Sequence, residues 1–395
     1  MTTGKIINIS QLGFPWETQD PFLFCAYHKD DYPKGTPALG PEKELLRGRR
    51  IGSDFDPRQD WRMYHGEVIP GFPYHPHRGF ETVTVAVEGA IDHADSMGAA
   101  GRFRNGDAQW MTAGKGILHS EMFPLLNQEE ENPLELFQIW LNLPKKNKMA
   151  EPHFKMLWSE DIPILKETDE AGKSTEVTII AGNLKDAKAL TPTPDSWAAN
   201  PANTVGVFTV KMDANAVWTL PATSASAKRS VYFYKGDTVH IDGYAVRQNY
   251  KVDLSPTEVV RFQNGNAEGF LLILEGKPIN EPVAQHGPFV MNTRAELQES
   301  FDESVSISLS NDNAVADFVG IKIGDVNNTA TPNSLVQADS RNTTAGTFLL
   351  STNDIYLEKG EKTTVIFSNK NIGQLAGLQY TLAIDQEAIT VEKVE

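Results

Sequence analysis

Short stretches in which apolar and polar residues alternate fill two long blocks of the chain, about residues 65–143 and 205–275. Gly, Pro, Asn and Asp separate these stretches, and helical periodicity is scarce. Alternation with a period of two predicts strands that bury one face. Many short strands of this kind are typical of all-β barrels and sandwiches, so the two blocks predict two similar β domains.

The clearest strand of the first block covers residues 82–87, followed by a turn at Gly89 and a partner strand at 90–93. Residues 160–176 are polar and residues 191–204 are rich in Pro, Asn and Ser, which predicts surface loops or a linker. Further strands are expected at residues 108–111, 135–143, 205–211, 230–234, 238–241, 259–262 and 269–274.

The length of 395 residues allows two to four domains. After about residue 300 the composition changes, since His, Trp and Cys are absent there and acidic side chains outnumber basic ones. We therefore predict a first β domain at 1–160, a second at 161–303, and an appendage at 304–395.

Charge and cysteine content narrow the function classes. A net charge of −16 disfavours direct binding of nucleic acid. No apolar run is long enough for a membrane span and no secretory signal is visible, so we expect a cytoplasmic protein without membrane contact. The lone Cys25 cannot form an internal disulfide, so a metal site would have to use His and carboxylates.

Two short motifs carry candidate metal ligands. His75-Pro76-His77 places imidazoles two residues apart, and side chains at this spacing share one face of a strand. His119 and Glu121 repeat the geometry with one imidazole and one carboxylate. If the two strands are neighbours in a barrel, the four side chains converge as three nitrogens and one oxygen, a set suited to Fe, Mn, Ni, Cu or Zn.

The residues around these motifs resemble the pirin family. The similar blocks are YHPHRGFETVTVAVEGAIDHADSMG (Tyr74–Gly98), GDAQWMTAGKGILHSEM (Gly106–Met122), LFQIWLNLPKKNKMAEPHF (Leu136–Phe154) and GKPINEPVAQHGPFVMNT (Gly276–Thr293). The resemblance covers roughly residues 10–302. It implies a bicupin, two stacked antiparallel β-barrels, with one metal ion in the N-terminal cupin and a metal-free C-terminal cupin.

The resemblance also implies a site and an activity. The family's ligands fall on His75, His77, His119 and Glu121, and the usual metal is iron, here Fe(II). Some pirins open flavonols such as quercetin, a 2,3-dioxygenase reaction on a small aromatic substrate, and Glu121 would then act as ligand and general base. Other members are described as iron-dependent redox sensors that act through a protein partner, and both roles use the same four residues.

Three further features are not assigned a metal-binding or catalytic role. Glu81 is assigned to the surroundings of the ligands or the cavity wall, and His93 to a satisfied polar or exposed position. The second block offers only His240 and His286, without a paired motif, so we expect it to bind no metal.

The appendage resembles multidomain surface proteins in which a dockerin-like region leads into a cohesin-like β-sandwich. The similar stretches are Ala316–Ser334 and Gly346–Glu395, and alternating residues around Tyr380 predict a half-buried strand. The second stretch is too short for a complete sandwich, which indicates an incomplete module. A calcium loop beginning at Asp325 is not favoured, because Ala330 stands where the loop needs Gly.

Overall fold

In the computed structural model, the described residues are 4–300 together with the backbone of two strands at 316–321 and 379–384. The described part is almost entirely β, as the alternation predicts. The strands of the first half are β1 (Ile6–Gln11), β2 (Trp16–Glu17), β3 (Phe22–Tyr32), β4 (Gly71–His77), β5 (Phe80–Glu88), β6 (Ala90–Asp95), β7 (Ala100–Arg104), β8 (Ala108–Thr112), β9 (Ile117–Met122), β10 (Asn132–Asn142) and β11 (His153–Leu157).

The first barrel consists of two antiparallel sheets. The larger has the order β11-β8-β5-β10-β3-β2 and the smaller the order β4-β9-β6-β7. Polar side chains of both sheets are buried in this barrel, whereas Ile91, Phe103 and Leu136 form part of an apolar cluster. The chain thus retains polar groups inside one barrel, which is costly unless they have partners or ligands.

The second half contains the remaining strands and one short helix. They are β12 (Ile164–Thr168), β13 (Ser174–Ala181), β14 (Asn183–Leu184), β15 (Ala187–Lys188), β16 (Gly206–Met212), β17 (Val217–Leu220), β18 (Lys228–Lys235), β19 (Thr238–Ile241), β20 (Tyr244–Arg247), β21 (Tyr250–Leu254), β22 (Val260–Asn264), β23 (Gly269–Gly276), β24 (Ala284–His286), β25 (Phe289–Met291) and α1 (Arg294–Glu299). Short 3-10 helices lie at Lys43–Leu46, Lys145–Asn147, Trp197–Ala199 and Pro201–Asn203.

The second barrel has a seven-stranded sheet, β1-β21-β18-β23-β16-β13-β12, and a four-stranded sheet, β17-β22-β19-β20. Its interior is apolar, with Phe208, Trp218 and Phe262 in one buried cluster. Strand β1 lies within the range predicted for the first domain, yet it pairs with β21 of the second barrel.

The two barrels pack through their larger sheets. One buried cluster combines Val83, Trp110 and Phe137 of the first barrel with Tyr232 and Leu272 of the second. Trp16 stacks on Tyr232 with ring centroids 5.5 Å apart. The predicted bicupin architecture is therefore confirmed, and the contact between the barrels is a continuous hydrophobic core.

Two local predictions are wrong. Strands β5 and β6 do not pair with each other, because the turn at Gly89 carries the chain from one sheet to the opposite one. Residues 160–176 are not only loop, since β12 and β13 form edge and neighbouring strands of the second barrel. The polar composition of β12 reflects its edge position, where one side faces solvent.

The structure describes only two strands of the appendage. Strand β26 (Ala316–Ile321) pairs with β27 (Gln379–Ile384) in an antiparallel ladder, which confirms the strand predicted around Tyr380. The dockerin-like and cohesin-like interpretation and the loop at Asp325 concern residues that otherwise lie outside the described part. Within the described residues, no helix is long and apolar enough to cross a membrane.

Deletion of residues 304–395 is expected to change the melting temperature of the barrels by less than about 2 °C. Every strand of the two barrels lies between residues 6 and 291, so the deletion removes none of their ladder hydrogen bonds or core residues. Differential scanning calorimetry of the full chain and of the shortened chain checks this. A loss of cooperative unfolding in the shortened chain would contradict it.

Candidate metal centre

Three histidines meet inside the first barrel. Strands β4 and β9 are antiparallel neighbours, and their register places His75 directly opposite His119. The alternation of β4 puts His77 on the same face as His75. One ring nitrogen from each of the three lies within 4.8 Å of the others, and the Nε2 atoms of His75 and His77 are 3.1 Å apart.

The ring nitrogens of this group have few partners. The Nδ1–H of His75 donates to the Pro73 carbonyl at 2.8 Å, which leaves Nε2 with its lone pair. His119 is fully buried, and neither of its ring nitrogens has a hydrogen-bond partner among the described residues. The Pro288 carbonyl approaches the ring of His77 but lies outside hydrogen-bonding geometry to Nδ1.

Burial keeps these imidazoles neutral. It lowers the pKa of His75 to about 4, although the bond to the Pro73 carbonyl opposes the shift. Burial, followed by the repulsion of the neighbouring rings, lowers the pKa of His77 and His119 well below the usual value. Neutral imidazoles present lone pairs, which is the form that binds a metal ion.

The arrangement fits a metal ion. A buried polar atom without a partner costs about 1–3 kcal/mol, and both ring nitrogens of His119 and Nδ1 of His77 lack one, so this group is unfavourable without a ligand. Imidazole nitrogens suit Zn, Cu, Fe and Ni, and carboxylates widen the choice to Mn. The donor set alone does not select one of these ions.

Glu121 lies on β9 two residues after His119, but its carboxylate is not within the 4.8 Å group of the three histidines. Oε1 accepts a hydrogen bond from the Thr84 hydroxyl at 3.0 Å, and Oε2 accepts one from the side-chain amide of Gln138. Burial raises the pKa of Glu121, while the charge of nearby His93 and the two hydrogen bonds oppose the rise. Each carboxylate oxygen keeps a second lone pair for a further contact.

Thr84 and Gln138 are site residues that the motif analysis missed. They lie on β5 and β10, in strands whose other residues are mostly apolar. A single polar residue within the run LFQIWL was the signal that could have pointed to Gln138, because a buried polar side chain needs a partner.

His93 is buried and hydrogen-bonded, as one of the two interpretations predicts. Its Nε2 lies 3.0 Å from the Asp95 carboxylate, and its Nδ1 lies 2.7 Å from Nε2 of Gln109. The ring stacks on Phe154 and lies 5.4 Å from the ring of His119. His93 therefore forms part of the wall behind the metal centre.

Glu81 does not line this cavity, so that part of the prediction is wrong. Its carboxylate faces the second barrel, in the same direction as the buried side chains of Val83 and Val85. The Thr112, Thr193 and Ser196 hydroxyls and the Trp110 indole N–H all donate to it, at 2.7, 2.8, 2.6 and 3.2 Å respectively. The alternation of inward-facing and outward-facing side chains in β4 does not continue in register into β5, because these strands belong to different sheets.

Aromatic and C-terminal residues close the site near His77. The rings of Phe80 and Trp140 lie 5.0 and 5.3 Å from the ring of His77. Val290, from the hairpin β24–β25, packs in the same cluster, although this hairpin follows the second barrel in sequence. The hairpin thus covers the end of the first barrel where His77 lies.

Within residues 4–300, the group formed by His75, His77 and His119 is the one set of three close His, Cys or acidic residues. His240 is exposed on β19, and His286 is exposed on β24.

Comparison with known proteins agrees with this arrangement. A model of the pirin family matches residues 16–141, and a model of the pirin C-terminal cupin domain matches residues 207–304. Pirin-1 of Arabidopsis thaliana is 38% identical over 237 residues, which are 59% of this chain and 76% of the plant protein. The chain belongs to the pirin family. The predicted resemblance to pirins is thus confirmed.

Two other proteins extend the comparison. The pirin of Rattus norvegicus is 34% identical over 269 residues, 66% of this chain and 82% of the rat protein. The crystal structure of a quercetin 2,3-dioxygenase from Acinetobacter baumannii is 27% identical, with a TM-score of 0.59 over 76% of this chain and 96% of that protein. The pirin matches end near residue 304, before β26.

Proposed function

We propose that this pirin is a mononuclear metalloprotein in which His75, His77, His119 and Glu121 hold Fe(II). The observation that carries the proposal is the convergence of three neutral imidazoles, of which those of His77 and His119 are buried. The facing Nε2 atoms of His75 and His77 have only each other as partners, and neither ring nitrogen of His119 has one. We assign Glu121 as the fourth ligand because it occupies the next inward position of β9 and each of its carboxylate oxygens keeps a lone pair beside its hydrogen bond. Iron is chosen over Mn, Ni, Cu and Zn by the resemblance to pirins.

We propose further that the reaction is the opening of a flavonol such as quercetin by dioxygen. A protein of the same fold with 27% identity is named a quercetin 2,3-dioxygenase, and this likeness supports the substrate class. When bound, the metal ion would supply Lewis-acid chemistry that activates the substrate hydroxyl and dioxygen.

The protein groups around the ion have separate tasks. Glu121 accepts the proton of the substrate hydroxyl, and the Thr84 and Gln138 hydrogen bonds fix the carboxylate while it does so. His75, on the half-exposed strand β4, faces the side from which a substrate enters. Phe80 and Trp140 exclude water from the opposite side, next to His77.

Glu121→Gln is expected to lower quercetin turnover by at least about a hundredfold, because the amide keeps an oxygen but cannot accept the proton. The protein is loaded with Fe(II) under anaerobic conditions, quercetin and then air are added, and the loss of flavonol absorbance is followed. Glu129→Gln, an equal change at an exposed loop position, serves as the control and should leave turnover unchanged.

Wild-type protein that holds iron but does not consume quercetin would contradict the dioxygenase assignment. If the iron also changed oxidation state reversibly and altered binding of a protein partner, the sensor role would be favoured instead. Metal content measured in the same samples separates both outcomes from a failure to load the site.

A further inference from the structure

A small cavity lies beside Glu121, and its walls are partly polar. Its free volume of about 10 Å³ is at the lower limit for one water molecule. The lining residues are His28, Phe72, Thr84, Glu121, Phe123, Leu136 and Gln138. Four of the seven side chains can form hydrogen bonds, which meets the requirement of two to four polar partners for a buried water.

A hydrogen-bonded chain begins at this cavity and leads away from the metal centre. His28 Nδ1 is 2.8 Å from the Tyr64 hydroxyl, and that hydroxyl donates to Asp30 Oδ2 at 2.7 Å. The other carboxylate oxygen of Asp30 accepts from Arg62 Nε at 2.8 Å. His28, Tyr64 and Asp30 are buried, and Arg62 is partly exposed, so the chain runs from the barrel interior towards the surface.

The direction of each bond fixes the form of His28. Because the Tyr64 hydroxyl gives its hydrogen to Asp30, it must accept from the Nδ1–H of His28. Burial, with a smaller effect from the charge of Arg62, lowers the pKa of His28 to about 3, so the ring is neutral. The remaining nitrogen, Nε2, therefore carries a lone pair, and His28 lines the cavity whereas Tyr64 does not.

We propose that one water molecule occupies this cavity and connects the Glu121 carboxylate to Nε2 of His28, so that His28, Tyr64 and Asp30 form a proton path out of the metal centre. The proton-transfer role rests on the proposed function, in which Glu121 takes the proton of the substrate hydroxyl. The water site and the tautomer of His28 do not depend on that function.

The path balances as a sequence of hops. The proton on Glu121 passes to the water, and the water gives one of its own protons to His28 Nε2. His28 releases the Nδ1 proton to the Tyr64 oxygen, and Tyr64 passes its hydroxyl proton to Asp30. The reverse sequence returns the proton to the product, so no oxidant, reductant or further reactant is needed.

Charged groups lie at the far end of the path. Arg62 holds Asp30 from one side, and the Asp54 carboxylate, paired with Arg49 at 2.9 Å, lies on the other side of Tyr64. Around His28 itself, the ring neighbours are Phe14, Tyr64 and Phe72. Burial favours the protonated form of Asp30 and raises its pKa, while the charge of Arg62 and the hydrogen bonds from Tyr64 and Arg62 oppose the rise.

Tyr64→Phe tests the path, because it removes the hydroxyl and keeps the ring. We expect kcat for quercetin to fall by about tenfold with KM unchanged, and the solvent deuterium isotope effect on kcat to change. Tyr32→Phe is the matched control, since Tyr32 is also buried and also loses one hydroxyl bond, to the Arg62 carbonyl at 2.7 Å. It should keep kcat within about twofold of wild type.

Two measurements on metal-free protein are independent of turnover. Nitrogen-15 spectra of the imidazoles, assigned by comparison with His28→Gln, should show the Nδ1–H tautomer of His28, and Tyr64→Phe should lose this preference. A high-resolution crystal structure should show one water within about 3 Å of both Glu121 and His28.

An Nε2–H tautomer of His28, or a dry cavity, would overturn the proposal whatever the protein catalyses. Equal effects of Tyr64→Phe and Tyr32→Phe on kcat and on the isotope effect would overturn the path. If wild-type protein fails to consume quercetin, the dioxygenase assignment fails. The tautomer of His28 and the bound water then test the hydrogen-bonded site independently of that activity.

Discussion

His119→Ala is expected to reduce the metal affinity of this pirin by more than about a hundredfold, beyond the loss typical when only a residue next to a ligand is changed. His119 is the one member of the group on β9, and its ring lies 4.4 Å from that of His75 and 4.7 Å from that of His77. Its removal leaves two imidazoles of the group. Elemental analysis after exhaustive dialysis, and titration with Fe(II) and Ni(II) under anaerobic conditions, measure the loss.

The matched control is His153→Ala, because His153 is exposed on β11 and outside the group. A thermal readout adds a second test. A ligand at one hundred times its dissociation constant stabilises the folded state by about 2.7 kcal/mol, so added metal should raise the melting temperature of wild type and of His153→Ala but not of His119→Ala. Full metal occupancy in His119→Ala would refute the assigned centre.

Glu81→Gln is expected to remove a pH dependence of stability of about 3 kcal/mol from the bicupin. Glu81 is fully buried between the barrels, and burial raises its pKa to about 7, although the hydrogen bonds from Ser196, Thr112, Thr193 and Trp110 oppose the rise. In the unfolded chain the pKa returns to about 4.5. The folded state therefore binds the proton more tightly than the unfolded state.

The sign of the effect follows from this difference. Between about pH 4.5 and 7 the folded chain holds more protons at Glu81 than the unfolded chain, so the free energy of unfolding falls as the pH rises through this range. Above about pH 7 both states are ionised and the contribution becomes constant. The free energy of unfolding is measured in urea at several pH values for wild type and for Glu81→Gln. The difference between the two proteins isolates the contribution of Glu81 from that of other groups.

Glu88→Gln provides the control, since Glu88 is exposed at the end of the same strand, β5. The difference between wild type and Glu88→Gln should be flat across the same range. A flat difference for Glu81→Gln as well would mean that the carboxylate is ionised in the folded state throughout, with its four donors outweighing burial.

Strand alternation was sufficient to find the three histidines of the metal centre. His75 and His77 share a face because they are two residues apart on one strand, and this rule needs no knowledge of the fold. The convergence of the two motifs was predicted on the condition that β4 and β9 are neighbours, and the observed register meets that condition. The two-barrel fold was predictable for the same reason, since alternation with a period of two recurs in both blocks.

The position of Glu81 was not predictable from alternation. Between His77 and Glu81 the chain leaves one sheet and enters the other through Gly79, which has a φ of +83°. Such a turn can change by one residue which side chains point into the barrel, and the sequence pattern does not show this change. The hydrogen bonds from Thr193 and Ser196 to Glu81 were not predictable either. A polar segment that binds a buried carboxylate has the same composition as a surface loop.

The remaining contacts of the site depend on side chains far apart in sequence. Tyr64 reaches Asp30 across thirty-four positions, and Gln138 reaches Glu121 from the opposite sheet. Single polar residues within apolar strands indicate that partners exist, but only the packed barrel shows which ones.

The pairing of β1 with β21 has a consequence for synthesis on the ribosome. Ile6 is opposite Leu254, so β1 must wait for a partner made about 250 residues later. At 5–20 residues per second this delay is about 12 to 50 s, during which every strand of the first barrel, β2 to β11, is complete. The nascent chain therefore carries an unpaired strand for most of its synthesis, and a fragment of the second barrel that lacks residues 6–11 exposes the edge that β1 covers.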